Sequence, residues 1–341
     1  MPDAGTLVSA ALLAVIPSLL YLIVLNAIDR YEKEPWTMMI SAIVLGGIVA
    51  PLLSSGALAV AGRSALLTPS FAPRASGADP LVAIVEEVIK GGLLLLLITL
   101  IRDEFDDVLD GIVYGAAIGA GFGAAESFIY AAGGVEPLSG GTVFALLVAG
   151  LNHAFYTAVF GGILGYAKQI RDLSTRYTIV GLGFATAVLL HSLHDALPTI
   201  LSRVLDQPDA AVGAITRIIA DLINVTGLVT LGAAIIWALR REASVLRTEL
   251  KPELDSGVVS QADYDSIASL RARLSRQRSL LRGKGGMTDV RTQRRLYAME
   301  GELAFQKRRL VVRSRKRPAE TRTDELRDEV RRLRRLWGEG S

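Results

Sequence analysis

A chain of 341 residues is long enough for two soluble domains at ~100–200 residues each, yet 51% of it is hydrophobic, its mean hydropathy is +0.39 and only 21% of its positions are charged. Residues 240–341 carry 26 Lys+Arg against 15 Asp+Glu, a net of +11, whereas residues 1–239 carry 11 against 19, a net of −8. Such a lightly charged, glycine-rich front block excludes the soluble globular, disordered and collagen-like classes, and the absence of cysteine excludes disulfides, thiolate nucleophiles, Cys-ligated zinc and iron–sulfur clusters.

About 20 mostly apolar residues are needed to cross ~30 Å of hydrocarbon. Seven segments qualify: 5–28, 37–62, 81–101, 108–132, 142–167, 177–198 and 212–239. They are expected to be helices, because open sheet edges are not tolerated in lipid. The first is read as a span and not as a cleaved signal, since Met1–Thr6 lacks a basic region and Asp29–Arg30 follows a full-length apolar run. Pro17 and Pro51 are expected to kink their helices. The fold class is therefore all-α: a polytopic membrane bundle of about seven helices over 1–239, with a soluble helical or coiled-coil tail over 240–341.

Lys and Arg in short loops favour the cytoplasmic side. Arg30, Lys33, Arg102, Lys168, Arg171 and Arg176 fall on the side of the basic tail, against Arg63, Arg74 and Arg203 on the other. The expectation is a multi-pass protein of the cell membrane, its N-terminus extracytoplasmic and its tail cytoplasmic. In the tail, Leu296, Leu303 and Leu310 recur every seven residues, Leu274 and Leu281 share that spacing, and Gly283–Gly286 separates the two stretches. This predicts a helical hairpin or short coiled coil. The basic run Lys307–Arg317 is read as a solvated face drawn to anionic lipid, with no specific nucleic acid expected.

Ionisable groups at membrane depth are functional-site hypotheses by default. Span 3 carries Glu86-Glu87-x-x-Lys90, span 4 carries Phe122-x-x-x-Glu126, span 5 carries Asn152-His153, and span 6 carries His191-Ser-Leu-His194-Asp195. All three histidines of the chain lie on spans 5 and 6. Counted from the loops, the polar residues of four antiparallel helices fall at one level, in the outer half of the membrane. Gly111, Gly115, Gly119 and Gly123 form an every-fourth-residue row that admits a close helix. Glu126 is almost two turns beyond Gly119 and shares that face. Asp110 reads as a helix start and Asp221 as a polar contact between helices.

In that order on successive helices, Glu-Glu-x-x-Lys, Phe-x-x-x-Glu, a lone membrane histidine and His-x-x-x-Asp resemble the PrsW intramembrane proteases, relatives of the CAAX prenyl endopeptidases. The second motif usually ends in His in the wider superfamily; here it ends in Glu126, as in the PrsW branch. The resemblance covers about residues 10–240 and leaves the tail outside. It implies an endopeptidase acting on single-span or membrane-anchored proteins near the outer surface, an anti-sigma factor being the precedent.

Peptide hydrolysis needs an activated water, a group for the oxyanion and a proton for the leaving amine. Two adjacent carboxylates in low dielectric do not both ionise comfortably, so Lys90 would hold one charged and leave the other as a general base. Glu86 and Glu87 are equal candidates. His153 and His191 would serve the oxyanion or the amine, and Asp195 would orient His191. The catalytic candidates are thus Glu86, Glu87, Glu126, His153, His191 and Asp195. No cofactor is required. Zinc is open as an alternative, held by Glu126, His153 and His191, although no His-Glu-x-x-His occurs. A proton-coupled transporter would also carry such groups, but with internal repeats and a polar path that are not evident. A non-catalytic scaffold presenting the tail would leave the clustered acids without a role.

Overall fold

Runs of apolar residues with no water to satisfy their backbone close their hydrogen bonds within helices, and most of the described residues are helical. The structure is a computed structural model that describes residues 2–31, 33–62, 80–101, 105, 107–133, 140–204, 210–283, 285–313 and 318–338. Only the backbone is described at 140–149, 197–199, 201–204, 210–217, 220–221, 223–224, 311–313, 318–321 and 338. The chain divides into two compact units, Met1–Asp29 with Glu34–Ile235 and Arg30–Lys33 with Ile236–Ser341.

The first unit contains α1 (Ala4–Ile28), α2 (Trp36–Val44), a π-helical turn (Leu45–Val49), α3 (Ala50–Val60), α4 (Pro80–Leu100), α5 (Val108–Ala132), α6 (Gly140–Lys168), α7 (Leu173–Val204) and the start of α8 (Ala210–Asp255). Helices thus occupy all seven segments predicted from the sequence. Among the described residues, four stretches are long and apolar enough to cross a membrane: Ala4–Ile28, Trp36–Val60, Val108–Ala132 and Leu173–Ala196. The surface of α1 agrees, since it leaves Leu12, Leu19, Leu20 and Ile23 more than half exposed, a face that would be costly in water.

The two prolines act differently. α1 runs unbroken through Pro17. Near Pro51, which has no N–H to donate, the ladder widens into the π-turn Leu45–Val49 just upstream. That turn packs closely on α5: a Cβ on Gly46 would lie 1.9 Å from the Ile118 carbonyl oxygen.

α5 is the centre of the unit, with every residue from Gly111 to Gly123 buried. Asp107 caps it and Asp110 completes a reciprocal capping box, the helix-start role expected of Asp110. The glycine row faces α6. A Cβ on Gly111 would lie 1.9 Å from Gly161 O, on Gly115 2.4 Å from Thr157 O, on Gly119 2.1 Å from His153 O, and on Gly123 2.5 Å from Gly150 Cα. Backbone meets backbone along four turns, as small residues at helix interfaces permit. A second buried tie joins the start of α2 to α5, where the Tyr114 hydroxyl donates to Glu34 Oε2 at 2.5 Å.

In the second unit, the end of α8 packs with α9 (Gln261–Ile267), α10 (Leu270–Arg282), α11 (Gly286–Arg313) and α12 (Pro318–Gly338). α10 ends at Arg282 and α11 begins at Gly286, so one helix gives way to the next at the glycine cluster singled out in the sequence. Leu296 and Leu303 are fully buried, but against Leu246, Leu250, Val259, Ile267 and Val330 from several elements. Leu274 and Leu281 are exposed. The seven-residue spacing therefore serves a small globular core, and the expected coiled-coil seam is not what these leucines build. Within the basic run, Lys307 is not solvated: it donates to Glu253 Oε1 at 2.9 Å and to the Glu249 carbonyl. The side chains at 311–317 in that run lie outside the described residues. Asp221's side chain does too.

Two buried acids in this unit are treated oppositely. Burial pushes Glu253 up, but hydrogen bonds and charge from Arg327 and Lys307 outweigh it and hold the carboxyl below its usual range. Glu300 is fully buried with neither carboxylate oxygen hydrogen-bonded. Burial, reinforced by Asp263, pushes it well up despite Arg334, Arg276 and Arg273.

Two expectations follow from these contacts. Gly119→Ala should destabilise by about 3 kcal/mol or more, the upper end of overpacking costs, whereas Gly92→Ala, with nothing within 4 Å of the new Cβ, should stabilise by up to about 1 kcal/mol; thermal unfolding in detergent separates them. Glu300, with a folded pKa above its unfolded one, contributes stability below the ordinary glutamate range that is lost as pH rises towards its folded value. Glu300→Met should therefore raise the melting temperature of this unit at pH 8 more than at pH 5.

Candidate active site

α4 is built inside out. Ile84, Val88, Leu95 and Leu96 are exposed while Glu86, Glu87 and Lys90 are buried to 2% or less. In a helix of a soluble protein the faces would be reversed; here the apolar face suits lipid and the charges face neighbouring helices. α4 packs on α5, α6 and α7, and α6 on α5 and α7. The four motifs consequently meet.

Lys90 is the hub. Its Nζ lies 2.5 Å from Glu87 Oε1 and 3.1 Å from His153 Nδ1, and sits 4.6 Å from the centre of the Phe122 ring. An ammonium can only donate, so His153 Nδ1 accepts. The proton of that imidazole is then on Nε2, which donates to Glu126 Oε2 at 2.6 Å. His191 has the other tautomer. Its Nδ1 donates to Glu87 Oε1 at 2.8 Å, leaving Nε2 as the bare nitrogen. That nitrogen has no hydrogen-bond partner, and neither does Glu86 Oε2, 3.7 Å away. Asp195 Oδ2 is also 3.7 Å from His191 Nε2.

All six catalytic candidates therefore come together, with adjustments to their expected pairings. Of the two adjacent acids left open by the sequence, Glu87 is the one that pairs with Lys90. His191 is oriented by the hydrogen bond it donates to Glu87, and Asp195 at 3.7 Å is beyond hydrogen-bonding range. His194 approaches the Asn152 amide at 3.4 Å.

The sequence reading missed Tyr156. Its ring stacks on His191 with centroids 5.0 Å apart and planes at 16°, and it is fully buried. The signal was present: Tyr156 is three residues after His153, on the same face of α6.

The acceptor atoms also bear on a metal. One ligand atom each from Glu86, His153 and His191 lies within 4.8 Å of the others. Glu86, not Glu126, joins the two histidines, because Glu126 is engaged by His153 Nε2. The orphaned pair Glu86 Oε2 and His191 Nε2 fits a cation: two tetrahedral zinc ligands at ~2.1 Å stand about 3.4 Å apart, near the 3.7 Å found. His153 fits on exchanging one of its two hydrogen bonds.

Carboxylates and imidazoles buried together among apolar helices are groups that an intramembrane hydrolase needs. Comparison with known proteins agrees, as residues 34–221 match the model of the PrsW family intramembrane metalloprotease. The chain belongs to that family. It is 31% identical over 184 residues to Protease PrsW of Bacillus subtilis, covering 51% of this chain and 76% of that one. It is 26% identical over 170 residues to Protease PrsW of Geobacillus kaustophilus, covering 50% and 70%. No solved structure matches. Membership of a family of membrane proteases displaces the transporter and scaffold readings.

Lys90→Ala would leave Glu87 buried beside a bare His153 Nδ1. It should cost about 3–5 kcal/mol, as removing one partner of a buried pair does, measured as loss of thermal stability in detergent. Glu86 Oε2 accepts no hydrogen bond, so Glu86→Gln should leave the melting temperature close to wild type.

Proposed function

We propose that this chain cleaves single-span or membrane-anchored protein substrates near the extracytoplasmic face, with Glu86 as the general base towards the attacking water. The observation that carries this reading is the pair of unpartnered buried acceptors, Glu86 Oε2 and His191 Nε2, facing each other at 3.7 Å. A water bridging such groups can donate to both. Glu87 is committed to Lys90 and His191, which leaves Glu86 to take the proton.

In this mechanism Glu86 removes a proton as the water oxygen attacks the scissile carbonyl carbon. The same proton then passes to the amide nitrogen as the C–N bond breaks. Lys90, fixed by Glu87 and His153, supplies the positive charge that stabilises the oxyanion. Glu126 holds His153 in the tautomer that accepts from Lys90, and Tyr156 keeps the His191 ring in its plane. The basic-loop distribution supports seven spans with an outer N-terminus and an inner tail, which places the catalytic level in the outer half of the membrane. An anti-sigma factor is the substrate that the family resemblance favours.

The geometry of the acceptors supports a second reading. A divalent metal held by Glu86, His191 and His153 would act as a Lewis acid and acidify a bound water.

The test uses purified protein in liposomes with a membrane-anchored substrate. Glu86→Gln should lower the cleavage rate by ~10²-fold or more at normal accumulation, and chelator should leave wild-type cleavage intact. Cleavage that survives Glu86→Gln overturns the role of Glu86. Loss on chelation, restored by zinc and matched by stoichiometric metal that Glu86→Gln abolishes, selects the metal reading.

A further inference from the structure

The tail contains a 23-residue stretch, 266–288, with no acidic residue, five arginines and one lysine. α10 occupies its middle, and the fold divides its arginines into two sets. Arg276 turns inward to Asp263 Oδ1 at 2.7 Å, and Arg273 donates to the Arg30 carbonyl at 3.1 Å with its guanidinium over the rings of Tyr31 and Tyr297. These two have structural work. Arg271, Arg278 and Arg282 are exposed.

Beside them lie Leu270, Leu274 and Leu281, exposed by 42%, 42% and 48%. At ~100° per residue the three leucines fall within about 40° of one another, with the arginines on the flank. Leucines, arginines and Ser275 line a groove of about 710 Å³ along the helix. Three aligned leucines exposed on a soluble helix are unusual unless something covers them.

We propose that the outer face of α10 docks on the anionic headgroup surface of the bilayer, its leucines in the acyl boundary and its three arginines on lipid phosphates. The charge pattern selects this occupant. A second copy of the same face would set arginine against arginine. A nucleic acid would use the cations but leave the leucines in water. A membrane surface uses both, and chains of this family reside in a membrane. Interfacial helices combine these two contributions, apolar burial and ~1 kcal/mol per surface cation. The docking is independent of how the protease site activates water.

Because the chain has no cysteine, a single introduced thiol reports without background. The full chain carrying Leu281→Cys, labelled with an environment-sensitive fluorophore, is reconstituted in vesicles of phosphatidylcholine alone or with phosphatidylglycerol. Ala298→Cys, at an exposed position on α11, serves as the control. The expected result is a blue shift at 281, with quenching by doxyl lipids, in the anionic vesicles and not in the neutral ones, and neither change at 298. Arg271→Gln/Arg278→Gln/Arg282→Gln should lower the docked-to-undocked ratio by about 10²-fold and return the neutral-vesicle spectrum. Equal emission at 281 in both lipids overturns the proposal. So does a shift that vanishes when each vesicle holds one protein, which indicates self-association, or one that appears only on adding RNA, which indicates nucleic acid.

Discussion

A buried ammonium with only donors to offer fixes the polar interior of this protein. Lys90, fully buried, obliges Glu87 and the His153 Nδ1 to act as its acceptors. The tautomer of His153 follows, and with it the direction of the bond to Glu126. Glu87, drawn to Lys90, also receives the His191 Nδ1–H, which turns the bare nitrogen of His191 towards Glu86. Two imidazoles thus take opposite tautomers from one cation, and one carboxylate of an adjacent pair is left without a hydrogen bond at one oxygen. Asymmetry between neighbouring acids is what general-base chemistry needs; here it comes from connectivity within the cluster.

The cluster depends equally on how near α5 and α6 approach. Gly119 faces the carbonyl of His153 itself, so the backbone that carries the histidine is the backbone that the glycine row admits. A wider interface would draw His153 away from Glu126 on the same two helices. Packing and chemistry share the same residues, as is economical in a bundle whose lipid-facing surfaces supply no hydrophobic drive between helices.

Much of this was legible in the sequence because membrane burial leaves few explanations for a charge. Glu86, Glu87, Glu126, His153, His191 and Asp195 were identifiable as a set from helix order and loop counting. The pairings were not. Choosing Glu87 over Glu86 for Lys90 depends on helix rotation, and assigning His191 to Glu87 in place of Asp195 depends on the α4–α7 approach; neither leaves a trace in spacing. Tyr156 was overlooked because an aromatic residue on an apolar helix carries no signal until its neighbour is known to be a histidine. In the tail, the heptad-like leucines marked burial correctly at Leu296 and Leu303 but not its architecture, since seven-residue spacing suits a globular helical core as well as a seam.

The glycine row has one further property. Its members recur every four residues, so sliding α5 along α6 by one repeat, about 6 Å, would set Gly115 where Gly119 lies and meet a similar run of carbonyls. Steric fit alone offers this interface several nearly equivalent settings, like the teeth of a rack. The hydrogen bond from His153 to Glu126 exists at a single one of them. The polar cluster thus also serves as the index mark of the bundle, choosing one register from a degenerate series, much as a lone buried asparagine does in a coiled coil.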